Sequence, residues 1–178
     1  YLLVTDSWSD GHFHWISDVL PKLFCIRDIT TEFTLLLPDS TYVRNFGLDS
    51  MAHLGFKFKD ILFMRKEEFY FLEHIYYIPA ISTSGLYNRT IMEGLQERLK
   101  NNHLIEAGKR MYISRKKSAF RKVVNENELI EVLRAFNFEI VFGEDLNFSE
   151  QFRLFSSASI LVGIHGAGLA NCLFMKRG

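Results

Sequence analysis

The sequence predicts an α/β protein built on parallel sheets, and three observations carry that expectation. In the last third of the chain short apolar strands alternate with amphipathic helices in the order β-α-β-α-β. Helices of this length between strands require crossover connections, which are right-handed in nearly all cases and generate a doubly wound, Rossmann-like sheet. The glycine-rich turn Gly163-Ile164-His165-Gly166-Ala167-Gly168-Leu169 directly follows the last of these strands and opens another helical segment.

In chain order, Phe13 to Leu20 predicts a helix running into Pro21, Phe33 to Leu37 a buried strand and Asn45 to Leu54 a helix. Ile61 to Met64 and Tyr70 to Ile78 read as strands, and Asn88 to Lys100 as a helix with Ile91, Leu95 and Leu99 on one face. The polar stretch Lys100 to Lys109 marks a boundary, giving an N-terminal α/β lobe over 1–107 and a C-terminal lobe over 108–178. There Arg110 to Ile113 is a strand, followed by the basic loop Ser114 to Lys122. Asn125 with Glu128 offers a capping-box-like start to a helix carrying Leu129, Val132, Leu133 and Phe136. Glu139 to Phe142 is the next strand, Ser149 caps a helix bearing Phe152, Leu154 and Phe155, Ile160 to Gly163 is the third strand, and Leu169 to Phe174 starts the last helical segment.

Composition narrows the function. The 178 residues are 48% hydrophobic and 15% aromatic, enough to bury a core yet short for two full domains. Lys+Arg and Asp+Glu balance at 21 each, so no overall positive field exists to hold a nucleic-acid backbone or an anionic membrane. Cys25 and Cys172 read as two buried thiols more readily than as a disulfide, and no apolar stretch approaches the length that spans a bilayer. The chain starts at Tyr1 rather than Met, which leaves leaders, anchors and further strands open.

Three features carry chemistry. The glycine turn offers backbone N–H groups at a sheet edge as an anion site, although tight strand–helix packing would also explain its glycines; it is neither Gly-x-Gly-x-x-Gly nor a P-loop. The basic loop, with Arg115, Lys116, Lys117 and Arg121, emerges at that edge and could hold a diphosphate between itself and the turn; a solvated charged face is the alternative. On a helix His14 and Asp18 share a face, as a general base and its orienting carboxylate require, while packing near a domain junction is the other reading. His12 and His14 have a ligand spacing, but the rest of a metallohydrolase motif is missing, and Asp-x-Asp occurs nowhere, so no metal site is expected.

The blocks His14-Trp15 with Asp18 and Leu20 to Leu23, Tyr112-Ile113-Ser114-Arg115 with Arg121 and Asn125-Glu126, Glu150-Gln151 with Leu154-Phe155, and Val162 to Asn171 together resemble glycosyltransferase family 61. The resemblance runs from about Gly11 to Gly178 with the blocks in family order, and the last block is the most specific. The family includes plant xylosyltransferases, animal protein O-linked N-acetylglucosamine transferases and bacterial proteins of capsular polysaccharide synthesis. The resemblance implies two Rossmann-like lobes of the GT-B type and an inverting, metal-independent transferase with no cofactor beyond its nucleotide-sugar donor, a UDP-sugar. It implies that His14 or Asp18 faces the acceptor, a glycan or glycoprotein hydroxyl. Arg115, with Lys116 beside it, and His165, Gly166, Ala167, Gly168 and Leu169 then form the diphosphate site, while Glu144 and Glu150 lie where the nucleoside is gripped. In the family a further strand follows the position of Gly178, so the C-terminal lobe is expected to be incomplete; Lys22 and Ala170 stand where Arg and Thr are more usual.

Two other readings compete. One is a non-catalytic nucleotide- or sugar-binding module; the other is RNA binding through Arg110 to Lys122, where Tyr112 and Phe120 are the aromatic residues on hand. The sequons at Asn88 and Asn147 do not fix a compartment, and a bacterial cytoplasm at the membrane face and a eukaryotic secretory lumen both fit.

Overall fold

A computed structural model describes residues 1–82, 87–100 and 108–175. The chain divides into two compact units, Tyr1–Asn101 and Asn102–Gly178, each mixed α/β around an all-parallel sheet.

In the first unit β1 (Leu2–Leu3), β2 (Thr34–Pro38), β3 (Asp60–Met64) and β4 (Tyr76–Tyr77) pair in the order β3-β2-β1-β4. Leu2 lies opposite both Leu35 and Tyr76, which makes this two-residue strand an inner one. Leu35, Leu36 and Leu37 are buried, as expected of a parallel strand covered on both faces. Two residues are too few to show a period, and β1 is invisible to pattern reading. Of the stretch Tyr70 to Ile78, only Tyr76–Tyr77 pairs as strand. Tyr70 turns its hydroxyl to Glu68 and to the backbone N–H of Arg65 instead.

Helix α1 is continuous but unevenly wound: α over His12–His14, π over Trp15–Val19, α again over Leu20–Cys25. It passes through Pro21 rather than ending there. The Leu20 N–H reaches back five residues to the Trp15 carbonyl, and this wide turn relieves the carbonyl crowding that proline imposes on an evenly wound helix. Trp15 is fully buried; its Nε1–H donates to Ser50 Oγ at 2.8 Å, and the ring lies against Gly47, where an added Cβ would come within 2.8 Å of it. Gly47 closes the π turn Val43–Gly47, which runs into Leu48–His53 to make α2. Helix α3 (Arg89–Lys100) buries Leu95 and Leu99.

In the second unit β5 (Lys109–Ile113), β6 (Phe138–Val141) and β7 (Ala158–Val162) pair in the order β6-β5-β7, with α4 (Glu126–Ala135) and α5 (Phe148–Ser156) as crossovers. The caps differ from expectation. Asn125 makes no capping bond and donates its amide to the Glu128 carboxylate. Helix α5 is capped by Asn147, not Ser149, through a full capping box with Glu150, and this earlier start brings Phe148 into the helix, buried like Phe152 and Phe155. Val132 of α4 and Phe136, just past its end, are exposed, at 55% and 60%, leaving Leu129 and Leu133 half-buried. Both cysteines are free, and they are exposed rather than buried. Cys25 closes α1, and the 3-10 segment Ala167–Phe174 turns Asn171 and Phe174 inward and Cys172 out.

Candidate functional site

Each unit contains one point where the strand order reverses. In such sheets the connecting loops part there, leaving a crevice at the carboxyl ends of the strands.

In the first unit the chain passes from β1 outward to β2 and β3, then returns to β4 on the other side of β1. Val4 follows β1, and its carbonyl accepts from Lys22 Nζ at 3.0 Å; Lys22 is only 2% exposed. A pocket opens beside it, lined among others by Ser17, Asp18, Lys22, Ser82, Tyr87 and Asn88. Asp18 Oδ2 stands 2.7 Å from His14 Nδ1, across the π-wound turn, with the two side chains 23% and 31% exposed. With the carboxylate accepting from Nδ1–H, the imidazole lone pair lies on Nε2, the atom from which a base acts. The rings of Trp8 and Phe13 flank His14, at 6.1 and 5.3 Å between centroids. His12 packs instead on Phe46 and meets the Tyr42 hydroxyl at 3.2 Å, and burial pushes that hydroxyl's pKa well up. The predicted pair is therefore assembled. In the sequence Lys22 stands out only as a family position, since nothing in a sequence distinguishes a buried lysine from a surface one.

In the second unit the chain moves from β5 to β6 and returns to β7 on the opposite side of β5. The basic loop after β5 and the glycine turn after β7 thus leave neighbouring strands at one edge. Arg115 donates through Nη2 to Ser118 Oγ at 2.7 Å and to the Phe120 carbonyl at 3.1 Å. Its guanidinium lies directly on Gly166, where an added Cβ would fall 1.9 Å from Nη1. The Nε of Arg115 is buried and has no hydrogen-bond partner among the described residues. Gly163 and Gly168 have packing reasons as well: a Cβ on Gly163 would press on the Leu169 side chain, and one on Gly168 on Ile113 at the end of β5. The packing reading of the turn's glycines is therefore met at these positions.

Three other cations of the loop, Arg121, Lys116 and Lys117, have partners. Arg121 Nη1 donates to His165 Nδ1 at 2.5 Å, from a backbone at φ +56°. Lys116 reaches Asn127 at 3.1 Å, and Lys117 pairs with Asp145. The Leu169 N–H bonds to the Gly166 carbonyl, and the N–H groups of Ala167 and Gly168 belong to the first residues of the 3-10 segment, ahead of that bond. Arg115, His165 and the residues from Gly166 to Leu169 are thus gathered at one edge. Lys116 is turned toward α4, Glu144 sits exposed on the short turn Gly143–Asp145 after β6, and Glu150 is held in its own helix cap. Among the described residues no group of three or more His, Cys, Asp or Glu could hold a metal ion.

Glu126, in the sequence only a member of the Asn125-Glu126 block, is buried at 5% exposed. It accepts from the Tyr112 hydroxyl and from Ser114 Oγ, both at 2.8 Å, and Ser114 Oγ in turn accepts the Lys116 N–H. These bonds fix the turn that launches Arg115. Burial, with Glu126 adding to it, pushes the Tyr112 hydroxyl up to about 12. Gln151 and Asn171, also buried, bond to each other at 2.9 Å and tie α5 to the segment after the glycine turn.

The family model described as Glycosyltransferase 61 matches residues 12–178. The chain is 29% identical over 118 residues to the EGF domain-specific O-linked N-acetylglucosamine transferase of Bos taurus, covering 55% of this chain and 22% of that protein. With the protein of the same name from Drosophila melanogaster the identity is 35% over 103 residues, 55% of this chain and 19% of the relative. The alpha-1,3-arabinosyltransferase XAT3 of Oryza sativa subsp. japonica is 35% identical over 65 residues, 35% of this chain and 11% of the enzyme. The chain thus spans about a fifth or less of the length of these relatives.

Proposed function

The chain belongs to glycosyltransferase family 61, and from that premise we propose that it carries the base and the donor-diphosphate site of an inverting transferase of the two-lobe GT-B type. The donor is a UDP-sugar, and the acceptor a protein or glycan hydroxyl. In this reading His14 Nε2 takes the proton of the acceptor hydroxyl while Asp18 holds Nδ1 and balances the imidazolium. The oxygen forms its bond to the anomeric carbon on the face opposite the leaving group, and the electron pair of the broken bond departs on the diphosphate. Arg115 and the N–H groups of Ala167 and Gly168 meet that charge without a metal. Lys22, Ser17 and Ser82 would orient the acceptor in the pocket beside Asp18.

The observation that carries the proposal is Arg115, seated on Gly166 at the strand-order reversal with its Nε buried and unpartnered. A buried guanidinium donor without an acceptor is costly, and a phosphate oxygen is the acceptor that suits it. The test is calorimetric titration of the purified protein with UDP, alongside a transfer assay with a panel of sugar nucleotides. The expected result is UDP binding that Arg115→Ala weakens, and transfer that His14→Ala abolishes while UDP binding persists. UDP binding indifferent to Arg115→Ala would remove the donor assignment, and binding without any transfer would leave a non-catalytic module.

A further inference from the structure

The Arg121–His165 contact has a chemical direction. A guanidinium is always protonated and only donates, so at 2.5 Å the His165 Nδ1 is the accepting atom and the ring proton sits on Nε2. The two residues are 44 apart in sequence and lie on the two loops that flank the strand-order reversal of the second unit. Arg121 reaches this partner from φ +56°, a left-handed backbone that a non-glycine residue adopts at a cost and that persists where surroundings hold it. The cost is not repaid by packing, since Arg121 and His165 are both exposed. One turn earlier Arg115 is pinned by Ser118 and the Phe120 carbonyl, so the loop presents one arginine to Gly166 and a second to His165.

We propose that Arg121 is a positioning residue that locks His165 in the Nε2–H tautomer, making His165 a hydrogen-bond donor to a phosphate oxygen of the bound nucleoside diphosphate and not a base. The inference deepens the donor-site reading above and rests on it for the identity of the ligand, though not for the tautomer. An imidazole free to exchange tautomers presents a lone pair to the phosphate for part of the time, which repels the oxygen instead of binding it. Arg121 removes that state. It also contributes a cation one shell away from the diphosphate, where it need not touch the ligand.

The experiment has two readouts on the purified protein. Long-range proton–nitrogen correlation spectra of histidine-labelled protein report the tautomer; His165→Gln identifies the signal. Wild type is expected to show a protonated Nε2 and an unprotonated Nδ1, Arg121→Met, which has no donor, a mixture of tautomers, and Arg121→Lys, which still donates, the wild-type pattern. Titration with UDP is expected to give an affinity about tenfold weaker for Arg121→Met, with Arg121→Lys restoring most of it. A wild-type signal with the proton on Nδ1, or UDP bound equally by wild type and Arg121→Met, would overturn the proposal while leaving the donor site standing. No UDP binding by wild type would overturn the donor reading, and with it the ligand proposed here, even where the tautomer is as expected.

Discussion

Arg115 shows how one side chain depends on the absence of another. Its guanidinium occupies the place a Cβ on Gly166 would take, and Gly166 itself has extended backbone, so the glycine is required for space and not for conformation. Gly166→Ala should displace the arginine head, a movable group, with little loss of stability. It should weaken UDP binding as Arg115→Ala does, which titration and thermal melting together will show. Arg115→Ala itself should slow transfer by about tenfold to a hundredfold, the equivalent of the roughly 1.5–3 kcal/mol of a hydrogen bond to a charged group, measured as kcat/KM. Tyr112 carries a pH prediction. Its folded pKa of about 12 lies above the unfolded value near 10, so the stabilisation is complete below pH 10 and is lost as pH rises toward 12. Urea unfolding at pH 9 and pH 11 should show a steeper alkaline loss for wild type than for Tyr112→Phe. At this scale the sequence disclosed His14, Asp18 and the glycine turn, whose spacings are local. Lys22, Glu126 and the Arg121–His165 bond escaped because burial and pairing between residues 44 apart leave no local trace.

Elements were legible where they are long enough to show a period. β2, β3, β5, β6, β7 and α3 to α5 fall within a residue or two of their expected places, because their apolar spacing matches strand or helix. β1 escaped through its shortness, and the stretch ahead of β4 misled because its aromatic alternation is spent on local bonds of Tyr70. Helix α1 escaped its expected end at Pro21 because a π turn is not encoded in hydrophobic spacing. Two element-level substitutions check the packing. Gly47→Ala drives a methyl into the buried Trp15 ring and should destabilise the first unit by about 1–3 kcal/mol, read from urea midpoints. Asn147→Ala removes the capping-box acceptor of α5 and should cost about 1 kcal/mol, while Ser149→Ala, off the cap position, leaves the α5 capping bond in place.

On the scale of the whole molecule the alternation of strands and helices disclosed parallel sheets, and each sheet's order then fixes where its crevice must fall. The strand order itself was not legible, since it is set by contacts between elements far apart in sequence. A net charge of zero conceals a cationic edge in the second unit, and if those cations meet the leaving diphosphate, transfer should continue undiminished after chelation with EDTA. Parallel winding also sorts the surface of the first unit in a way that serves labelling. Helix α1 leaves the carboxyl edge beside β1 and descends to the opposite edge before β2, so its exposed terminal Cys25 lies about 10 Å further along the helix than Asp18, at 1.5 Å per residue. With Cys172 replaced by serine, a fluorophore on Cys25 becomes a single-site reporter that follows the unfolding of this unit from the side remote from the proposed base.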